Sequence, residues 1–249
     1  MTKKRLRIKK KKPFFKKPVF WISFFLILIS ASSFYILFFS NIFKIKEVLI
    51  LGEIRIQKEE IEKFLREMVG GKNIFLIKPD IIKNEALKNF PQISSLEFKR
   101  KFPSGLIFKI LERREVAVFC QKDCYLVDKE GIAFERGEKE GILRIEKENF
   151  ENEIRLGKKL VEKEILEKIL EILEKSGMKI EKVSIVSEDN LQFHTLEGWK
   201  FYIDPQKDID WQLTKLKVAI ENAIPKEKIQ DLEYIDLRFG NFAYPKYKK

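Results

Sequence analysis

Residues 93–114 read ISSLEFKRKFPSGLIFKILERR. Leu96 and Phe98 alternate with Glu97 and Lys99, and Leu106, Phe108 and Ile110 share one face of a second run. That period of two predicts two strands, with Pro103-Ser104-Gly105 as the turn between them. The segment before them, PDIIKNEALKNF, opens on Pro79, which suits the first turn of a helix. Ile82, Ala86 and Phe90 line one side of it, and Pro91 closes it. Further back, KEEIEKFLREM places Ile61, Phe64, Leu65 and Met68 on one helical face. Glu59 and Glu60 in its first turn favour the positive end of the helix dipole, and Gly70-Gly71 stops it. Gln57 is a poor N-cap for this helix. KIKEVLIL, residues 44–51, reads as a strand ended by Gly52. Its Val48 and Ile50 alternate with Leu49 and Leu51, so both faces are expected to be covered. The order β-α-α-β-β over about 70 residues describes a compact α+β unit.

Upstream lies PVFWISFFLILISASSFYILFFSNIF, residues 18–43, which contains no charged residue. As a helix it would be about 39 Å long, enough to cross a hydrocarbon core of about 30 Å with some tilt. Phe20 and Trp21 near one end and Phe38, Phe39 and Phe43 near the other fit aromatic residues at membrane boundaries. Residues 1–17 carry ten Lys or Arg and no Asp or Glu, against a net charge of +12 for all 249 residues. About +2 therefore remains for the rest, and the basic surplus describes the head. Lys and Arg stay on the cytoplasmic side of a span, which puts the head in the cytoplasm and the bulk outside. Such a cluster also suits anionic lipid, and a nucleic-acid arm is the competing reading. Ser30-Ala31-Ser32 offers small residues for signal cleavage, but the apolar run is too long for a signal core, so an uncleaved anchor is expected.

Downstream, residues 116–119 and 125–128 read as short strands around CQKDC. The three-residue loop sets Cys120 and Cys124 across a hairpin as a candidate disulfide; free thiols and a metal site are the alternatives. The only histidine, His194, is far away in sequence and reads as a strand residue. In LVDKEGIAF, Asp128 and Gly131 bracket a turn between apolar strands. Asp128 and Glu130 also form a carboxylate pair, though the turn role explains Asp128 without catalysis. VEKEILEKILEILEKS is an amphipathic helix with Ile165, Leu166, Ile169, Ile172 and Leu173 inward and Gly177 as its cap. Three strands follow: KIEKVSIV, LQFHT and WKFYI. A second helix, IDWQLTKLKVAIENA, has Leu213, Leu216, Val218 and Ile220 in helical spacing. The C-terminal LEYIDLRFGNFAYPKYKK offers a strand, a Gly240-Asn241 turn and a last strand at 242–244.

The string VLILG…EEIEKFL…GKNIFLI…LKNFPQISSLEFKRKFPSGLIFKILERREVAVF resembles a POTRA domain of the FtsQ/DivIB bacterial cell-division family. The matching positions are Gly52, Glu59, Glu60, Ile61, Gly71, Asn73, Ile74, Phe75, Pro91, Ile93, Phe98, Arg100, Pro103, Glu112, Arg113 and Ala117. Glu115 stands where the family usually has Pro. LVDKEGIAF is similar to a hairpin near the start of that family's second domain, and Tyr234-Ile235-Asp236-Leu237-Arg238-Phe239 to its Tyr-Val-Asp-Leu-Arg-Tyr signature.

The resemblance implies an α+β chain: one N-terminal transmembrane helix (18–43) after a basic tail (1–17), a β-α-α-β-β POTRA domain (44–115), then a mostly antiparallel β domain with two helices (116–245) and a short basic end (246–249). It implies a bitopic scaffold of the divisome, at the septum, that holds FtsB/DivIC-type and FtsL-type partners through the C-terminal strand and other division proteins through the POTRA domain. The partner-binding residues would be Tyr234, Ile235, Leu237, Arg238, Phe239, Phe242 and Tyr244. The residues themselves leave those aromatics divided between a partner interface and the domain's own core. No P-loop, GxSxG or HExxH pattern occurs. No catalysis, cofactor, metal, nucleic acid or small-molecule substrate is therefore expected. The alternatives are a membrane-anchored enzyme acting on the cell wall and a POTRA-bearing outer-membrane assembly component.

Overall fold

The computed structural model describes residues 17–52, 58–150 and 153–248. The basic head up to Lys16 and the N-cap position Gln57 lie outside them. Contacts divide the described residues into two compact units, one of which runs to Gly52 and includes 58–82 and 97–109; the other includes 83–96 and 110 onward.

Ahead of Glu115, α1 spans Pro18–Phe39, with Pro18 in its first turn. It is apolar all round and none of its residues is buried, as suits a helix whose solvent is lipid. The uninterrupted helix expected to Phe43 ends four residues earlier. Ser40 is extended, and its hydroxyl accepts from Ile42 N, opening a 3-10 turn at Asn41–Phe43. β1 (Glu47–Leu51) follows and pairs in parallel with β3 (Gly105–Glu112). The three-stranded sheet has the order β1-β3-β2, with β2 at Ile93–Lys101. Between β1 and β2 come α2 (Lys58–Val69) and α3 (Pro79–Asn89), so the order is the expected β-α-α-β-β. Ile61, Leu65 and Val69 are buried, while Phe64 and Met68 are half-covered at the margin of the same face. β1 departs from expectation: Val48 is buried, but Leu49 and Leu51 are exposed. With α2 packed against β1, one face is covered and the alternate side chains point away.

The second unit is built on a nine-stranded open sheet with the order β12-β11-β10-β9-β8-β7-β4-β5-β6. Its strands are β4 (Glu115–Cys120), β5 (Cys124–Asp128), β6 (Ala133–Arg136), β7 (Leu143–Lys147), β8 (Ile180–Ser187), β9 (Asn190–Thr195), β10 (Lys200–Ile203), β11 (Leu232–Asp236) and β12 (Tyr244–Tyr247). Three of the eight pairings are parallel (β4 with β7, β7 with β8, β10 with β11), so the sheet is mostly antiparallel. α4 (Lys163–Ser176) and α5 (Ile209–Val218) supply helical faces to its core. Leu166, Ile169 and Ile172 of α4 and Leu216 of α5 pack with Val183, Phe193, Phe201, Ile203, Ile235 and Leu237. Gly177 ends α4 in the left-handed conformation, φ +64°. α5 is shorter than its apolar spacing suggested and passes into a π-helical turn at Ala219–Ala223. Val218, expected inward, is half-exposed. It lies two residues, about 200° of helical rotation, from buried Leu216.

Candidate partner-docking edge

The turn at 128–131 is closed by Gly131 N donating to Asp128 O at 2.9 Å. Asp128 Oδ1 accepts from Glu130 N and Ile132 N at 3.0 and 2.9 Å. Its other oxygen meets Arg113 Nη1 at 2.5 Å, and Arg113 Nε donates to Pro91 O at 3.0 Å. Asp128 is thereby committed to a buried ion pair and a turn, and Glu130 pairs with Lys163 instead. Only a glycine fits at 131: φ is +77°, and a Cβ there would lie 1.8 Å from Val161 O. Glu115, at the position of the family's proline, starts β4 and pairs with Lys139.

At the other end of β5, Cys124 is directly paired in register with Cys120 of β4, and the two are joined as a disulfide. The Glu138 carboxylate lies beside them, but sulfurs bonded to each other present no thiolate to a metal.

His194 lies on β9 with Nε2 3.1 Å from Ser184 Oγ on β8. Burial, reinforced by Lys182 and Lys200, holds its pKa below the usual imidazole value. Register places Lys182, His194, Lys200, Tyr234 and Lys246 in one row across β8 to β12. Tyr202 and Tyr234 stack at 4.7 Å, with Lys200 and Arg238 over Tyr202 and Lys246 over Tyr234.

The C-terminal elements sort the sequence-predicted partner residues into two groups. Ile235 and Leu237 are buried in the domain's own core. Tyr234 is half-buried in the stack just described. Arg238, Phe239, Phe242 and Tyr244 gather at the turn and edge. The last strand lies at 244–247, two residues beyond the expected 242–244, and takes in part of the expected basic end. Arg238 donates three hydrogen bonds to the Asp236 carboxylate, one from its main-chain N at 3.1 Å and two from its guanidinium at 3.0 and 2.7 Å, and the side-chain hydrogen bonding raises its already high pKa. Its guanidinium also lies over the Phe239 ring. Phe239 and Phe242 are 56% and 72% exposed, and Tyr244 is exposed as well.

Two features escaped the sequence. Lys215 of α5 is buried, and its ammonium donates to three main-chain carbonyls, Leu237, Phe239 and Gly240, at 2.5, 3.3 and 3.1 Å. Burial lowers its pKa, and the nearby Lys207 adds to that. It ties the turn after β11 to α5. Beside it runs an apolar groove of about 230 Å³, lined by Trp211, Val218, Ala223, Asn241 and Phe242 among others. A lysine at an i+3 position next to apolar residues reads as solvated, so no local signal marked either feature.

β12 is the outermost strand and all four of its residues are exposed. Lys248 N donates inward to Asp231 O at 2.7 Å. Alternation then turns the main-chain groups of Pro245 and Tyr247 away from β11. The free edge thus offers carbonyls and the Tyr247 N–H, with Pro245 contributing no donor. A strand from another chain can be added there, with the exposed aromatics as anchors.

A family profile described as "POTRA domain, FtsQ-type" matches residues 43–113, the region of the three-stranded sheet. The chain is 33% identical over 103 residues to a cell division protein FtsQ of Syntrophotalea carbinolica, covering 41% of this chain and 36% of that protein. It is 32% identical over 90 residues to a cell division protein FtsQ of Rickettsia bellii, covering 36% of this chain and 33% of that protein. The matches span about a third of the length of these curated relatives. With one apolar N-terminal helix among the described residues, the FtsQ-type POTRA match and these two relatives, the chain is similar to FtsQ-type bacterial cell-division proteins over about two fifths of its length.

Proposed function

We propose that the chain is a non-catalytic, single-pass scaffold of the bacterial divisome. Its basic head is cytoplasmic and its bulk extracytoplasmic, at the division septum. The free edge of β12 takes a strand from an FtsB/DivIC-type partner, which with an FtsL-type protein is held there to control septal peptidoglycan synthesis. The POTRA domain recruits other division proteins. The observation that carries this reading is the edge itself: an outermost strand with every residue exposed, flanked by Phe239 and Phe242. The charge asymmetry of the head supports the orientation.

The test is co-purification of the full-length chain from membranes. Deleting residues 239–249 would also strip β11 of its neighbour and Lys215 of two acceptors, so point variants are sharper. Phe239→Ala with Phe242→Ala is expected to reduce recovery of the small bitopic partners by about 30-fold or more, on the order of 2 kcal/mol for each anchor. Unchanged recovery would contradict the reading. The Ser184–His194 pair favours one rival, a hydrolase acting on the wall. Turnover of wall fragments by the full-length chain, lost in His194→Ala, would decide for it. An outer-membrane assembly role fits less well, since the nine-stranded sheet is open with two edges.

A further inference from the structure

The first unit presents a second surface that division-protein docking does not explain. Asn73 Nδ2 donates to Leu37 O and Phe38 O at 2.7 and 3.1 Å, satisfying carbonyls in the last turn of α1. Ile74 N donates to Phe43 O at 2.9 Å and Ile45 N to Lys72 O at 3.0 Å, so residues 72–76 are held beside the end of that helix. Lys46 N donates to Ser104 O at 2.9 Å, which brings the turn between β2 and β3 to the same end of the unit. An aromatic chain links them: Phe38 to Phe75 at 6.3 Å, Phe43 to Phe75 at 5.2 Å, and Phe75 to Phe102 at 5.5 Å between ring centroids.

This tip is apolar and uncovered. Leu76 is 61% and Phe102 58% exposed, and Phe75 is exposed beside them. Exposed Lys44, Lys72 and Lys101 flank them. A contiguous apolar patch of this kind calls for an occupant. The occupant is indicated by continuity: the same ring cluster begins on α1, whose last turn must emerge from the bilayer if the helix crosses it. Aromatic side chains sit stably at that depth, and lysine stems reach from it to headgroup phosphates.

We propose that Phe75, Leu76 and Phe102 insert into the interfacial region of the bilayer that α1 crosses, so that the POTRA unit rests on the membrane instead of hanging from a tether. The proposal takes α1 as a membrane span and goes beyond the scaffold reading, since it needs no protein partner.

The test uses the full-length chain in lipid nanodiscs, with one nitroxide label each at Leu28→Cys, Leu76→Cys, Phe102→Cys and Lys109→Cys. The unlabelled parent checks that the disulfide-bonded native cysteines take no label. Collision with oxygen, which partitions into lipid, is compared with collision with a water-soluble nickel chelate. Labels at 76 and 102 are expected to favour oxygen, as at 28, while the label at 109, on β3 farther from the tip, favours nickel. If 76 and 102 behave like 109 while 28 remains lipid-exposed, the tip is in water and the proposal is overturned with the span intact. Shielding of 76 and 102 from both reagents would show that protein covers the tip and would also overturn it. Nickel access at 28 would remove the span and the proposal together.

Discussion

Arg113 and Asp128 form the most deeply buried side-chain ion pair described, with 11% and 5% of their side chains exposed. Asp128 was legible as a turn residue because Asp-x-x-Gly carries its own chemistry. Its guanidinium partner was not, because a separation of 15 residues says nothing about who meets whom. Removing one member of such a pair leaves the other buried and uncompensated. Asp128→Ala is expected to destabilise the second unit by about 3 kcal/mol or more, read as a lowered denaturant midpoint of the detergent-solubilised chain. His194 gives a second residue-level expectation. Its folded pKa lies below the 6.5 of the unfolded imidazole, so the unfolded state binds the proton more tightly. The associated stability is fully present above about pH 7 and is lost as pH falls through about 6.5 toward the folded value. His194→Gln should flatten that part of the stability profile. An unchanged slope in the variant would assign it to other groups. Lys215 shows the limit of sequence at this scale, since only the folded chain brings three carbonyls to one ammonium.

Elements with strong periodicity or punctuation read correctly. α2, α4, the β2–β3 pair and the β8–β9–β10 meander each carry a face, a turn or a cap of their own. β7 did not, because LRIEK sits in a charged stretch, buries only Ile145, and exists through parallel partners on both sides. The last strand was expected two residues early: it begins only at Tyr244, and Phe242 lines a groove beside α5. The edge of β12 yields the element-level prediction. Tyr247→Pro removes the outward N–H while sparing the inward bond from Lys248. It should weaken partner capture by about 10-fold, on the order of one lost main-chain hydrogen bond with its neighbour left unpaired. A Tyr247→Phe control keeps the N–H and should capture normally. Equal capture by the two variants would argue against strand addition at this edge.

At the scale of the whole molecule, three parts were legible for different reasons. The apolar run is long enough to read by counting, the POTRA unit by order and spacing, and the second unit mainly by its two motif strings. The division of labour among the candidate site residues was not legible, since a strand signature does not say which of its apolar residues the core keeps. Ile235 and Leu237 are kept by the core, while Phe239, Phe242 and Tyr244 remain outside. All of this serves docking only if the bulk faces the compartment where the septal wall is built. The measurement that tests this most directly is protease treatment of intact spheroplasts carrying the chain with a cytoplasmic tag ahead of Met1. The account predicts that the C-terminal bulk is digested while the tag and α1 survive as a short membrane-bound fragment. A C-terminal bulk that stays intact until the membrane is breached, in a chain that is readily cleaved afterwards, would contradict it.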